Sequence, residues 1–112
     1  MAERSNNNKS SRRTKQAPID TTFGHLQPQA TDIEKVVLGA LMIDKDAFTV
    51  VSEIIKPETF YESRHEKIYE AVQSLNLQEK PVDIMTVVEA LRHKGTLEAV
   101  GGPAYIVELS SN

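Results

Sequence analysis

The chain has no cysteine and no tryptophan. Without cysteine it can form neither a disulfide framework nor a thiolate zinc site. Its five glycines, Gly24, Gly39, Gly95, Gly101 and Gly102, are scattered. None belongs to a Gly-x-x-x-x-Gly-Lys-Ser/Thr loop, whose amides and lysine act together on phosphates. Nucleoside triphosphate binding by that route is therefore not expected. Three histidines, His25, His65 and His93, lie far apart and show no metal-ligand spacing. No serine has a base placed to activate it, and the acidic residues are spread over what read as solvated helix faces. No catalytic set, metal site or cofactor site is expected. Long apolar runs are also missing, and the longest is far short of the roughly 20 residues that cross a bilayer. No apolar segment follows the basic N-terminus, so a secretory signal is not expected. These absences point to a cytoplasmic protein without a membrane partner.

Two-residue alternation is missing too, so no strand is expected. What remains is helical punctuation. The 112 residues suffice for one domain with a modest core, and 39% hydrophobic with 26% charged residues is ordinary for a globular chain. Charge is divided unevenly. Residues 1–16 carry five basic side chains and one acidic, whereas residues 17–112 carry 8 basic and 15 acidic. An acidic body is a poor grip for phosphate backbones and suits contacts with protein. The basic leader, residues 1–25, has little to bury and reads as disordered. The domain proper spans residues 26–112, with extended chain expected over residues 17–30.

The run from Val36 to Ile43 is apolar on nearly every side. It predicts a buried first helix, the central post of the fold. Thr31 and Glu34 form a capping box that starts it, and Ile33, Val37 and Leu41 define its inner face, widened by Val36 and Ala40. Gly39 in mid-helix points to close approach of another backbone, most simply a tight crossing within the fold. A second helix is expected from Asp46 to Ile55, ended by Lys56-Pro57, after which Phe60 enters the core. Ser63 and Glu66 suggest another capping box, opening a helix with Ile68, Val72 and Leu75 inward. His65 at its start reads as a packing or hydrogen-bonding residue. Asp83 caps a helix with Ile84, Val87, Val88 and Leu91 on its buried face, and Gly95 ends it. Thr96 starts a short turn, and Pro103 begins a last helix to about Leu109, with Tyr105 and Leu109 inward. The sum is an all-α fold, a compact orthogonal bundle of about six short helices. Leu77 and Val107 fall off their helices' buried stripes and are the candidate contacts for a partner.

Four groups of residues, taken in order, carry a resemblance. They are Pro28-Gln29 with Glu34-x-x-Val37-Leu38-Gly39-x-Leu41-Met42-x-Asp44; Phe60-Tyr61-x-x-x-His65-x-x-Ile68-Tyr69; Pro81-Val82-Asp83-Ile84-x-Thr86-Val87; and Gly95-x-Leu97-x-x-x-Gly101-Gly102-x-x-Tyr105-Ile106-x-x-Leu109. Their order and spacing resemble the N-terminal domain of the bacterial replicative DNA helicase of the DnaB type, over residues 26–112. Asp32 and Ile33 depart from the family pattern, and the Asn/Ser-rich leader is foreign to it. The resemblance implies a non-catalytic domain that self-associates as paired units in the collar of a hexameric ring around single-stranded DNA. It further implies recruitment of primase. ATP and Mg²⁺ would belong to a motor domain that is not in this sequence. The alternative is a free-standing helical module that binds nucleic acid through its basic leader.

Overall fold

A computed structural model describes residues 23–111, with side chains from Ala30 onward. The expectation of a disordered leader falls almost wholly outside the described residues, as do the side chains of Phe23 and Leu26. The described residues divide into two units after Ala30. The described part of the first unit is helical backbone, and the hydrophobic core belongs to the second. Among the described residues there are five α-helices: α1 (Phe23–Ile43), α2 (Ala47–Val51), α3 (Ser63–Leu77), α4 (Ile84–Lys94) and α5 (Gly102–Ser110), with a 3-10 turn at Pro57–Thr59. There is no strand among the described residues. The all-α expectation holds, with five helices among the described residues where about six were expected, because Thr96–Val100 forms no helix.

α1 corrects three expectations. Residues 23–30 are helical, not extended. Thr31 is therefore an interior residue rather than a cap, and its hydroxyl donates to Glu62 Oε2 at 2.8 Å. Glu34 likewise turns away from its own helix. Both side chains of the supposed capping box have partners in another element, and those partners outweigh the local motif. The third correction concerns the post. Leu38, Leu41 and Met42 are buried and Val37 is half-buried, but Ile33, Val36, Ala40 and Ile43 face outward. Periodicity alone puts Ile33 inside, and the structure does not. A body this small cannot enclose a helix on every side, because its surface is large relative to its volume.

Gly39 has the reason its sequence position suggests. A Cβ built there would meet the Leu109 carbonyl oxygen well inside 3.0 Å, so α1 crosses the backbone of α5 within the fold. Behind that crossing lies the core: Leu38, Leu41, Ile68, Val72, Val87, Leu91, Val100, Ile106 and Leu109. Tyr69 is wholly buried between Phe48 and Phe60, with ring centroids 5.9 and 5.1 Å away, and its hydroxyl donates to the Ile55 carbonyl at 2.7 Å. Phe60 enters the core as expected.

α2 is shorter than the expected Asp46–Ile55. Three-residue bonds, Glu53 N to Val50 O and Ile54 N to Val51 O, tighten the chain after Val51. The run Thr49-Val50-Val51 is β-branched and holds a helix poorly. Its start is organised by Asp44, whose Oδ1 accepts from the Asp46 amide at 2.9 Å, and Asp46 itself makes no side-chain cap. The Ser63–Glu66 box is also absent. Ser63 Oγ accepts instead from Lys67 Nζ at 3.0 Å, and Glu62 occupies the cap position.

α4 is bounded as its sequence predicts. Asp83 Oδ1 accepts from Thr86 N at 2.9 Å, and Thr86 Oγ1 accepts from Asp83 N at 2.9 Å, a reciprocal box. Gly95 closes the helix with φ +76°. The end of α3 does the same with a costlier residue. Glu79 stands at φ +58°, while Lys80 N donates to Leu75 O at 2.9 Å. A left-handed conformation costs an L-residue about 1–2 kcal/mol. Glu79→Gly is therefore expected to stabilise the domain by roughly 0.5–1 kcal/mol, the unfolded chain's extra freedom offsetting part of the gain. Urea unfolding checks this, and a lower midpoint would show that the Glu79 side chain holds something glycine cannot.

Candidate protein-interaction surface

A buried polar chain joins α1, α3 and α5. Glu34 on α1 accepts from the amides of Tyr61 and Glu62 just ahead of α3, the latter at 3.3 Å. Its Oε1 also lies 2.7 Å from His65 Nδ1. A carboxylate only accepts, so the imidazole Nδ1–H is the donor. Nε2 lies 2.5 Å from the Tyr105 hydroxyl on α5, which donates to it when the ring is neutral. His65 is 0% exposed, and its ring stacks with Tyr105 at 5.9 Å and 11°. Arg64 covers the other part of that phenol ring, 3.9 Å from its centroid.

This chain has the connectivity of a proton relay, but it is sealed by packing, and its members satisfy one another. The reading of His65 as a hydrogen-bonding residue fits that geometry. Among the described residues no group of three or more His, Asp or Glu side chains is placed to hold a metal ion. The network's physical role is to fix the angle between three helices. Burial raises the Tyr105 phenol, and against the lowering effect of Arg64 it is pushed up to about 12 from an ordinary 10.0. The folded state then holds that proton through a range where the unfolded chain releases it. Stability is full below about pH 10 and falls as pH rises toward 12. Tyr105→Phe is expected to flatten that alkaline limb in a series of denaturation curves. Glu62 works in the opposite direction. Burial raises its carboxyl, but hydrogen bonds from Thr31 and Arg64 outweigh this and leave it lowered. Its contribution is lost as pH falls.

The outer surface is where the domain has apolar side chains to spare. Leu77 is 84% exposed at the end of α3 and Val107 is 47% exposed on α5. Both project outward, as their registers indicate. They are joined by a stripe that sequence reasoning places inside. Ile33, Val36 and Ile43 on α1 are 63, 62 and 67% exposed. They recur at helical spacing with Ala40, so they share one face. Met85 is exposed as well, and it lines an open depression of about 350 Å³ with Ile43, Met42, Ile84 and Ser110, where α1, α4 and α5 meet. The signal for this stripe is present in the sequence. A helix apolar all round can be buried all round, but it equally describes a helix with one face for its own core and one for a partner.

No described helix is long and apolar enough to cross a membrane. Comparison with known proteins agrees with the helical architecture. Residues 26–112 match the family of the DnaB-like helicase N-terminal domain. The replicative DNA helicase DnaB of Rhodothermus marinus is 42% identical over 88 residues, 79% of this chain and 9% of that protein. The replicative DNA helicase DnaC of Bacillus subtilis (strain 168) is 38% identical over 93 residues, 83% of this chain and 20% of that protein. This chain thus spans a fifth or less of the length of these two relatives. The crystal structure of the N-terminal domain of DnaB helicase from Mycobacterium tuberculosis superposes with a TM-score of 0.69 and 36% identity, covering 70% of this chain and 56% of that one. The chain belongs to the family of DnaB-like helicase N-terminal domains, the N-terminal region of replicative DNA helicases.

Proposed function

We propose that this domain works by contact alone, as a collar element of a cytoplasmic replicative helicase that pairs with copies of itself and helps recruit primase. The observation that carries this reading is the outward face of α1, where Ile33, Val36 and Ile43 stand uncovered on a domain that already has a complete core. Apolar side chains grouped on one face mark an interaction site more often than accident does. The acidic body fits the same reading, since it disfavours direct binding to a phosphate backbone. In the longer protein, six such chains would encircle single-stranded DNA. ATP and Mg²⁺ would be handled by a motor region outside this sequence.

Sedimentation velocity across concentration tests the self-association. The wild-type chain is expected to show a mass that rises with concentration. Leu77→Asp and Val107→Asp are expected to weaken pairing or primase binding by about tenfold each, with helicity retained. Unchanged mass and unchanged primase affinity in both variants would remove these two residues from the interface. A module that binds DNA through its leader predicts instead an affinity that falls steeply with salt and vanishes when residues 1–16 are deleted.

A further inference from the structure

An open groove of about 360 Å³ runs between the C-terminal part of α3 and one face of α4. Leu75, buried, and Ala90, half-buried, form its apolar floor. Gln78, Lys80, His93 and Lys94 are exposed around it. The α4 members recur at helical spacing, so they form one continuous wall. Lys80 is held in place from the backbone, since its amide is tied to Leu75 O through the turn at Glu79. The single carboxylate among the lining residues, Glu89, pairs with the neighbouring Arg92.

The groove's charge runs against that of its surroundings. Residues 17–112 carry nearly twice as many acidic as basic side chains, yet two lysines and a histidine converge here. Helix dipole compensation accounts for basic residues in the last turn of α4. It does not account for Lys80, on another segment, standing at the same apolar floor. We infer that this groove docks an acidic amphipathic helix from a partner protein. Aliphatic side chains of the helix lie on Leu75 and Ala90, and its carboxylates face Lys80 and Lys94. A groove between two helices accepts a third through anchors spaced three and four residues apart. A nucleic-acid strand is the poorer occupant. The lining has no aromatic ring on which a base could stack. This site is distinct from the α1 stripe, Leu77 and Val107, so it stands or falls separately from the self-association reading.

The experiment is an NMR titration of the 15N-labelled 112-residue chain with a synthetic helical peptide that has leucines on one face and glutamates beside them. A peptide with lysine in place of every glutamate, and an oligothymidylate, serve as the other two probes. Saturable shifts confined to residues 74–80 and 86–94 are expected with the acidic peptide alone, weakening as salt is raised. Lys80→Glu with Lys94→Glu is expected to weaken binding at least about tenfold, the scale of losing two charge contacts. Lys80→Gln with Lys94→Gln keeps the test valid should charge reversal disturb folding, and a smaller loss in the same direction is expected. Shifts centred on α1 or α5, equal binding of the lysine peptide, occupation of these residues by the oligonucleotide, or undiminished affinity in both double variants would overturn the assignment.

Discussion

Gly39→Ala is expected to destabilise the domain by about 1–3 kcal/mol, even though alanine is the better helix former. Two effects compete. In an exposed helix interior the substitution would gain about 1 kcal/mol from propensity. Here the new methyl would lie closer to the Leu109 carbonyl oxygen than 3.0 Å, a separation that real Cβ atoms essentially never show. That obstacle is backbone and cannot swing aside as a side-chain tip would, so α5 must move as a unit. Moving α5 displaces Tyr105, Ile106 and Leu109, all buried. Forcing a methyl into a well-packed contact of this kind costs about 1–3 kcal/mol, occasionally more. The strain outweighs the propensity gain. Chemical denaturation of the variant gives the sign directly, and a rise in midpoint would mean that the α1–α5 crossing is looser than its geometry indicates.

Glu34→Ala is expected to cost about 3 kcal/mol. The carboxylate satisfies three donors at once: the Tyr61 amide, the Glu62 amide and His65 Nδ1–H. Removing it leaves a fully buried imidazole with an unpaired N–H, and an unmade buried hydrogen bond costs about 1–3 kcal/mol. The loss spreads further because Tyr105 is held through the same imidazole. Glu34→Gln retains an acceptor oxygen and the side-chain shape, so a cost nearer 1 kcal/mol is expected. Near-UV circular dichroism of the tyrosines would report loosening of Tyr105 in the alanine variant. Equal stability of the alanine and glutamine variants would show that solvent replaces the carboxylate and that the network does not fix the helix angles.

These two residues also divide the sequence reading at its weak point. Gly39 is legible, because a glycine in a helix interior is costly unless something occupies the space its side chain would need. Glu34 is not. Thr31-x-x-Glu34 satisfies the local pattern of a capping box, and no local signal says that Tyr61, Glu62 and His65 will arrive to claim the carboxylate. Ser63 and Glu66 mislead as well, for the His65 and Glu66 amides donate to the Glu62 carbonyl and Ser63 Oγ accepts from Lys67 instead. Leu77 and Val107 are correctly placed outside, since each helix offers one buried stripe and both lie off it. Ile33 is misplaced by its period, and for Val36 and Ile43 periodicity has little to decide, because the run from Val36 to Ile43 is apolar on nearly every side.

By itself, then, the amino-acid order determined what is settled within a few residues: the all-helical class, the ends of α4 at Asp83 and Gly95, the inward stripes of α3 to α5, and the need for a close backbone contact at Gly39. Tertiary structure alone decided which backbone Gly39 meets, which face of α1 stays in solvent, and that Glu34, His65 and Tyr105 form one network. The physical reason is range. Capping, left-handed glycine and helical period act over about one turn, whereas burial and hydrogen-bond satisfaction are set by whichever distant segment packs nearest.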